Sequence, residues 1–499
     1  MEFLANLGLG FSTALSVTNV LYCFLGALLG TAIGVLPGLG PVATIAMLLP
    51  MTFGLEPVTA LIMLAGIFYG AQYGSSTTAI LINLPGEASS VVTALDGYRM
   101  ARQGRAGTAL AVAALGSFFA GTFAALIIAL FAPALAAVAL SFGPHEYFSL
   151  MVLGLVASVA IASGSIEKSL AMILLGVLLG LVGQDTQTGV GRLTFGMTDL
   201  LDGVEFVAIA MGLFGLAEII QNLENPAERN SSVGRIGGLR LSRQEFGQMR
   251  GPVLRGTAIG SILGILPGGG ATIGAFAAYM AEKRLSRTPE KFGQGAIEGV
   301  AAPEAANNAG AQTSFIPLLT LGIPANATMA MMTGALILHG VTPGPNIISG
   351  EPALFWGLIA SMWVGNLMLL VLNLPLIGVW VRMLSVPYRV LFPLIVALSC
   401  IGVYTVSNST FDVMMMVAFG ALGYLFFKLE CQPTPLLLGL VLGPMLEENL
   451  RRAMLTGRGD PTVFLTRPIS AGLLILAVIC LAAMVLPSVR RTREVAFEE

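Results

Sequence analysis

An eleven-residue pattern occurs twice in this chain, each time inside an apolar run. The first copy is Gly30-Thr-Ala-Ile-Gly34-Val-Leu-Pro37-Gly38-Leu-Gly40 and the second is Gly260-Ser-Ile-Leu-Gly264-Ile-Leu-Pro267-Gly268-Gly-Gly270. Six of the eleven positions are identical, and Thr/Ser, Ile/Leu and Val/Ile account for three more. Proline removes a backbone donor and glycine costs entropy in a helix, so both copies predict an interrupted helix. At membrane depth an interruption is tolerated only where it is buried in protein or lines a polar cavity. Matching interruptions in two parts of one chain point to the binding site of a transporter.

Composition places those runs in a membrane. Of 499 residues, 56% are hydrophobic and 10% charged, with a mean hydropathy of +0.85; a soluble domain carries about 25% charge. The apolar runs have the length of spanning helices, about 17–25 residues, and alternating barrel strands are absent. The expected fold is an all-α polytopic membrane protein of about ten to twelve transmembrane helices, with re-entrant or broken helices in two inverted repeats. A net charge of −2 carries no nucleic-acid footprint. Cys23, Cys400, Cys431 and Cys480 lie in or beside apolar runs without metal-ligand spacing. No Lys or Arg precedes Arg99, so the basic start of a cleaved signal is missing and the first apolar run is expected to stay.

The chain divides into an N-terminal half (1–220), a polar cytoplasmic linker (221–252) carrying Arg229, Arg235, Arg240, Arg243 and Arg250, and a C-terminal half (253–499). In the first half a helix near 57–73 precedes a polar intramembrane segment, 70–86, and spans follow near 107–133, 146–163, 168–183 and 204–220. In the second half the matching polar segment covers 304–328. Spans follow near 327–341, 353–373, 390–407, 411–427 and 468–487, and the short run 433–446 is a candidate re-entrant segment. Gly-Ala-Gln recurs at 70–72 and 310–312, and Leu84-Pro85-Gly86 is answered by Ile323-Pro324-Ala325. Basic loops mark the cytoplasmic side. Arg255 and Lys283 flank the second interruption, whereas the first has no basic flank. Arg99, Arg102 and Arg105 make one later loop basic, and its counterpart near 341–352 has no Lys or Arg. The two halves therefore read as inverted copies. The second interruption reads as a hairpin open to the cytoplasm, with a single broken crossing as the alternative.

An interrupted helix leaves free carbonyls on one side and free N–H groups on the other. The N–H end carries about half a positive charge and suits a carboxylate; the carbonyls suit Na⁺. Pro37, Gly38, Gly40, Pro267, Gly268 and Gly270 are candidate ligands on that ground, with hydroxyls from Thr44 and Thr272. Two polar clusters interrupt apolar runs: Ser75, Ser76, Thr77, Thr78 and Asn83 in one half, Asn307, Asn308, Gln312, Thr313 and Ser314 in the other. Buried amides and hydroxyls cost energy unless paired, so these form either a shell for substrate and Na⁺ or glue between helices. Glu304 is a candidate proton carrier if it lies within the membrane, and otherwise a carboxylate at the cytoplasmic mouth. Glu87 and Asp96 are read as lying near a surface. Gly30/Gly34, Gly66/Gly70, Gly176/Gly180 and Gly260/Gly264 predict close helix packing.

At these residues the chain resembles the large permease subunit, TctA, of the tripartite tricarboxylate transporters. The resemblance rests on Gly34-Val-Leu-Pro-Gly-Leu-Gly40, on Phe68 to Glu87 continuing to Asp96-Gly97, on Pro303-Glu-Ala-Ala-Asn-Asn308, and on Leu319-Thr-Leu-Gly-Ile-Pro324; Phe206 to Glu218 is similar as well. It implies a secondary active transporter of the bacterial inner membrane, driven by a Na⁺ or H⁺ gradient, that takes up a small carboxylate such as citrate. The implied partners are a small membrane subunit (TctB-like) and a periplasmic substrate-binding protein (TctC-like), with no cofactor beyond the coupling ion. A passive anion channel or an exporter is the alternative. An enzyme is disfavoured: His145 and His339 are the only histidines, and neither a His-Glu-x-x-His nor a phosphate-binding Gly-x-x-x-x-Gly-Lys-[Ser/Thr] loop occurs.

Overall fold

Helix follows helix through the computed structural model, which describes residues 2–36, 40–161, 165–185, 188–224, 238–266, 270–383 and 388–485. The first stretch holds α1 (Glu2–Ala14), α2 (Val17–Gly34), α3 (Pro41–Leu48), α4 (Pro57–Ile82), α5 (Ala88–Met100) and α6 (Ala106–Ala139). Then come α7 (Pro144–Ile161), α8 (Ile166–Gly180), α9 (Phe206–Ala210) and α10 (Ala217–Glu224), with a two-residue β1–β2 pairing at Gly183–Gln184 and Gly191–Arg192. The next group is α11 (Arg243–Gly264), α12 (Gly270–Leu285), α13 (Glu298–Thr313), α14 (Phe315–Leu321), α15 (Ala327–Leu338), α16 (Asn346–Gly350) and α17 (Pro352–Asn373). The last is α18 (Ile377–Met383), α19 (Tyr388–Ser407), α20 (Thr410–Lys428), α21 (Pro433–Thr456), α22 (Val463–Thr466) and α23 (Pro468–Val485). This is an all-α polytopic membrane protein. Among the described residues, Val17–Gly34, Pro57–Ile82, Ala88–Ala139, Pro352–Asn373 and Thr410–Lys428 are long and apolar enough to cross a bilayer. The longest of these is two helices, α5 and α6, bent at Gly104 (φ 79°).

Glycine decides the core packing. A Cβ on Gly26, Gly30 or Gly34 of α2 would run into the backbone of Met63, Ile67 or Ala71 of α4. The numbers rise together, so α2 and α4 lie parallel, and α3 between them must run the other way. Gly256, Gly260 and Gly264 of α11 meet Ala302, Ala306 and Gly310 of α13 in the same fashion. There the return arm is visible: Gly270 packs on Gly264 and Gly274 on Gly260, which makes α11–α12 an antiparallel hairpin. Removing the side chain lets backbones approach and gain dispersion contacts, which is what drives association in lipid. Met63 and Ala302, Ile67 and Ala306, and Ala71 and Gly310 are each 239 residues apart. The helix ends agree: Asn83 (φ 60°) closes α4 and Gly322 (φ 73°) closes α14, both left-handed. The Gly-Ala-Gln match at 70–72 and 310–312 is therefore one residue out of structural register.

The equivalent helices α4 and α13 run antiparallel. Gln72 bonds Asn307 while Ser76 bonds Glu304, so one number rises as the other falls. Packing around them is reciprocal: α4 contacts α17 and α13 contacts α6, while α3 contacts α15 and α12 contacts α5.

Several expectations change. The polar segment 70–86 is not separate; as far as Ile82 it is the second half of α4. The run 433–446 is not a short re-entrant segment but the start of the 24-residue α21. Glu447–Arg451 and Glu448–Arg452 ion pairs at i,i+4 carry that helix on through its polar end. Of the linker, 243–252 is the beginning of α11, because Ser242 and Glu245 form a reciprocal capping box; residues 225–237 lie outside the described residues. Asp96 is fully buried rather than near a surface, because backbone N–H groups close around it.

The basic loops converge. Arg105 donates to the Glu245 carboxylate and the Gly295 carbonyl, and Gln103 donates to the Gln294 carbonyl. The loop after α5, the start of α11 and the segment before α13 thus share one end of the molecule, called here the basic end.

Candidate functional site

Where α4 and α13 cross, polar side chains replace apolar ones. On α4 these are Gln72, Ser75 and Ser76; on α13 they are Glu304, Asn307 and Asn308, spaced to share one helix face. Glu304 is 1% exposed and lies six residues into α13, about 9 Å along the helix from the basic end. Its carboxylate accepts from Ser76 Oγ (3.0 Å), Thr93 Oγ1 (2.5 Å) and Ser117 Oγ (3.3 Å), on α4, α5 and α6. Asn308 Nδ2 donates to Ser117 Oγ (2.7 Å) and to the Glu304 carbonyl (3.0 Å). Asn307 accepts from Gln72 Nε2 (3.2 Å) and donates to Glu87 Oε1 (3.0 Å). Ser75 is hydrogen-bonded to Ser90 at 2.9 Å and accepts from the Gly86 N–H at 2.8 Å.

A small internal cavity opens beside Glu304. Its polar lining is Tyr73, Ser76, Thr77, Ser117, Glu304 and Asn373, and Ile80, Leu110, Ala113 and Ala114 complete the wall. The Tyr73 hydroxyl and Asn373 Oδ1 are buried there without a protein partner among the described residues. Unpaired buried polar atoms are expensive, and no Lys or Arg lines the cavity. The arrangement offers an anion, several hydroxyls and two unused polar atoms in an enclosed space. That donor set suits a proton or a small cation.

Other residues singled out in the sequence fall elsewhere. Thr77 and Thr78 bond back to carbonyls of their own helix, those of Tyr73 and Ser75, and of the two only Thr77 reaches the cavity. Asn83 is exposed and serves as the left-handed end of α4. Thr313 and Ser314 bond to the Ala309 and Ala311 carbonyls. Gln312 is buried away from Glu304, where its amide and that of Asn366 close over Gly121. Thr44 bonds to the Gly40 carbonyl, and Thr272 is half-buried on α12. Pro37, Gly38, Pro267 and Gly268 lie outside the described residues. Gly40 sits against Gly86, beside the α4 end of the cluster, and Ala271, next to Gly270, sits against Gly310 of α13. The two interruptions thus flank the α4–α13 pair.

The sequence did not single out Glu218, and it matters for the first interruption. The Gly40 N–H, at the start of α3, donates to the Glu218 carboxylate. Thr93 and Ser117 were also missed. Ser117 carried a signal, as a lone hydroxyl in an Ala- and Gly-rich span, and Thr93 another, three residues beyond Ser90 on one helix face.

Comparison with known proteins places this geometry among relatives. The family described as Tripartite tricarboxylate transporter TctA matches residues 20–438. A protein of Agrobacterium vitis, described as an uncharacterized 52.8 kDa protein in the TAR-I ttuC' 3' region, is 60% identical over 499 residues, 100% of this chain and 99% of that protein. A second from the same organism, described as an uncharacterized protein in the TAR-II ttuC' 3' region, is 60% identical over 240 residues, 48% of this chain and 99% of its own length. No solved structure matches.

Proposed function

The chain belongs to the tripartite tricarboxylate transporter TctA family, and on that premise we propose that it is the permease of an ion-gradient-driven system for uptake of small di- or tricarboxylates. It works by alternating access between two inverted halves, the first ending with α10 and the second beginning with α11, in the bacterial inner membrane with the basic end in the cytoplasm. A small TctB-like membrane subunit and a periplasmic TctC-like binding protein complete it. The coupling ion, Na⁺ or H⁺, binds at Glu304, and the substrate takes hydrogen bonds from the Ser76, Ser117 and Asn308 cluster.

One observation carries this reading. Glu304 is a buried carboxylate ringed by three hydroxyls beside a cavity that has no basic residue in its wall. A carboxylate in that position is costly unless a proton or cation joins it, and an intramembrane acid that takes up and releases a cation is what gradient coupling requires. The test is uptake of labelled carboxylate into proteoliposomes holding all three subunits. Uptake is expected to require an imposed Na⁺ or H⁺ gradient and to be lost in Glu304→Gln. Transport undiminished after both gradients collapse overturns the coupling, and single-channel currents that do not saturate with substrate identify a channel instead.

A further inference from the structure

Helix α5 touches both the Glu304 cluster and the basic end. Ser90, Thr93 and Asp96 follow at every third residue, each turned about 60° from the last, and Glu87 precedes them as the extended residue before the helix. Glu87, Ser90 and Thr93 serve the cluster: Glu87 accepts from Asn307, Ser90 pairs with Ser75, and Thr93 donates to Glu304. One turn further on, Asp96 binds a different part of the molecule. Its Oδ1 accepts from the N–H groups of Gly293 (2.9 Å), Gly295 (2.8 Å) and Ala296 (2.7 Å), and its Oδ2 from the Tyr279 hydroxyl (3.0 Å). All four donors lie on α12 or in the segment joining α12 to α13. Gly97 packs against both Ile80 of α4 and Val300 of α13.

The symmetry-related position, where α3 meets α15, has no carboxylate clasp of this kind among the described residues. There α3 and α15 make the reciprocal contact, and the hydrogen bond beside it joins Thr52 Oγ1 to His339 Nε2 at 3.3 Å. Four donors on one buried carboxylate make a much stronger clasp than one neutral bond.

We propose that Asp96 is a positioning residue for the Glu304 cavity. By clasping the segment from Gly293 to Ala296, it fixes the depth and rotation of α5, holds Thr93 on Glu304 and keeps the basic end closed. When a cation displaces the Thr93 hydroxyl from Glu304, α5 loses its bond to the acid, the one nearest Asp96, and keeps those of Glu87 and Ser90. The clasp at Asp96 then releases and the cavity opens toward the basic end. The purpose of this movement rests on the transport reading, but the clasp itself is independent of it.

The test places a single cysteine at Ala113, on the cavity wall, in a chain whose four natural cysteines are replaced by serine. The readout is labelling by a membrane-impermeant maleimide applied to the basic-end face of oriented vesicles. Asp96→Ala is expected to raise the labelling rate by at least about tenfold, the shift that loss of a charged hydrogen bond gives a two-state equilibrium. Tyr279→Phe, which removes one donor of four, is expected to raise it less. In the complete transporter Asp96→Ala is expected to keep substrate exchange and lose accumulation against a gradient, a split that simple misfolding does not produce. Unchanged labelling in Tyr279→Phe and in Asp96→Ala, or exchange and accumulation falling together, overturns the proposal. If Asp96→Ala fails to reach the membrane, Tyr279→Phe carries the test alone. A wild-type transporter that accumulates no carboxylate sinks the transport reading and leaves the labelling result legible.

Discussion

Helices α4 and α13 do the same work for the backbone and different work for the chemistry. Each lies parallel to a glycine-striped helix, each leads to a left-handed residue, Asn83 at the end of α4 and Gly322 at the end of α14 beyond α13, and each packs on the long helix of the other half. At the 239-residue spacing, however, Glu304 answers Ala65, Asn307 answers Phe68 and Asn308 answers Tyr69. The second half supplies Glu304, Asn307 and Asn308, and the first supplies Gln72, Ser75 and Ser76 with the hydroxyls of Thr93 and Ser117. What the two copies share is the distance at which backbones can approach. What they do not share is the polar inventory, so the fold is nearly symmetric while the Glu304 cluster is single and asymmetric. The interruptions differ too: at the first, Glu218 lies against the Gly40 N–H, and at the second, Gly270 packs on Gly264.

The strongest way to break this comparison is to attack the shared part. Gly260→Val drives a side chain into the Ala306 backbone, where overpacking costs about 1–3 kcal/mol or more. Loss of folded membrane protein is expected, measured by detergent-solubilised yield and Tm. Gly8→Val meets nothing within 4 Å and is expected to be silent. A stable Gly260→Val protein would remove close packing as the common element. Next in size is the unshared acid. Glu304→Gln loses hydrogen bonds to a charged group worth about 1.5–3 kcal/mol, so gradient-driven uptake is expected to fall by ~10- to ~100-fold with expression intact. Ser76→Ala and Asn308→Ala each remove a neutral partner, and uptake is expected to drop by about tenfold or less. Normal uptake in both variants would take this cluster out of the transport path.

The smallest effects sharpen the comparison at the helix ends. Asn83→Gly is expected to change stability by less than about 1 kcal/mol and leave uptake unchanged, since either residue accepts the left-handed conformation. Gly322→Asn is not its mirror. A Cβ there would lie 2.7 Å from the Pro343 carbonyl, and a lower Tm is expected. Equal tolerance at both positions would show that the two ends are interchangeable after all.

Much of the architecture was legible in the chain because membrane insertion writes it into local pattern. Apolar run length gave the helices, Pro-Gly-x-Gly gave the interruptions, and Gly-x-x-x-Gly gave the contacts of α2, α8 and α11. Hydroxyls and amides in apolar runs drew attention to Ser76, Glu304, Asn307 and Asn308 before any coordinate. The same signal drew in Asn83, Thr313 and Ser314, because a hydroxyl or amide that ends a helix or bonds to its own backbone looks identical in sequence to one that faces a partner. Glu218 and Asp96 went the other way. Each meets backbone N–H groups distant in the chain, and a backbone donor has no sequence identity to recognise.

The order of residues alone therefore settled which segments enter the membrane, where they break and which faces can touch, since these follow from hydrophobicity, missing donors and missing side chains along a few turns. Only the folded chain decided that α4 and α13 meet head to tail, that their polar residues converge on one acid, and that Asp96 fastens α5 to the segment before α13. Those outcomes depend on which helices become neighbours and in what register, and that is set by the packing of segments more than two hundred residues apart.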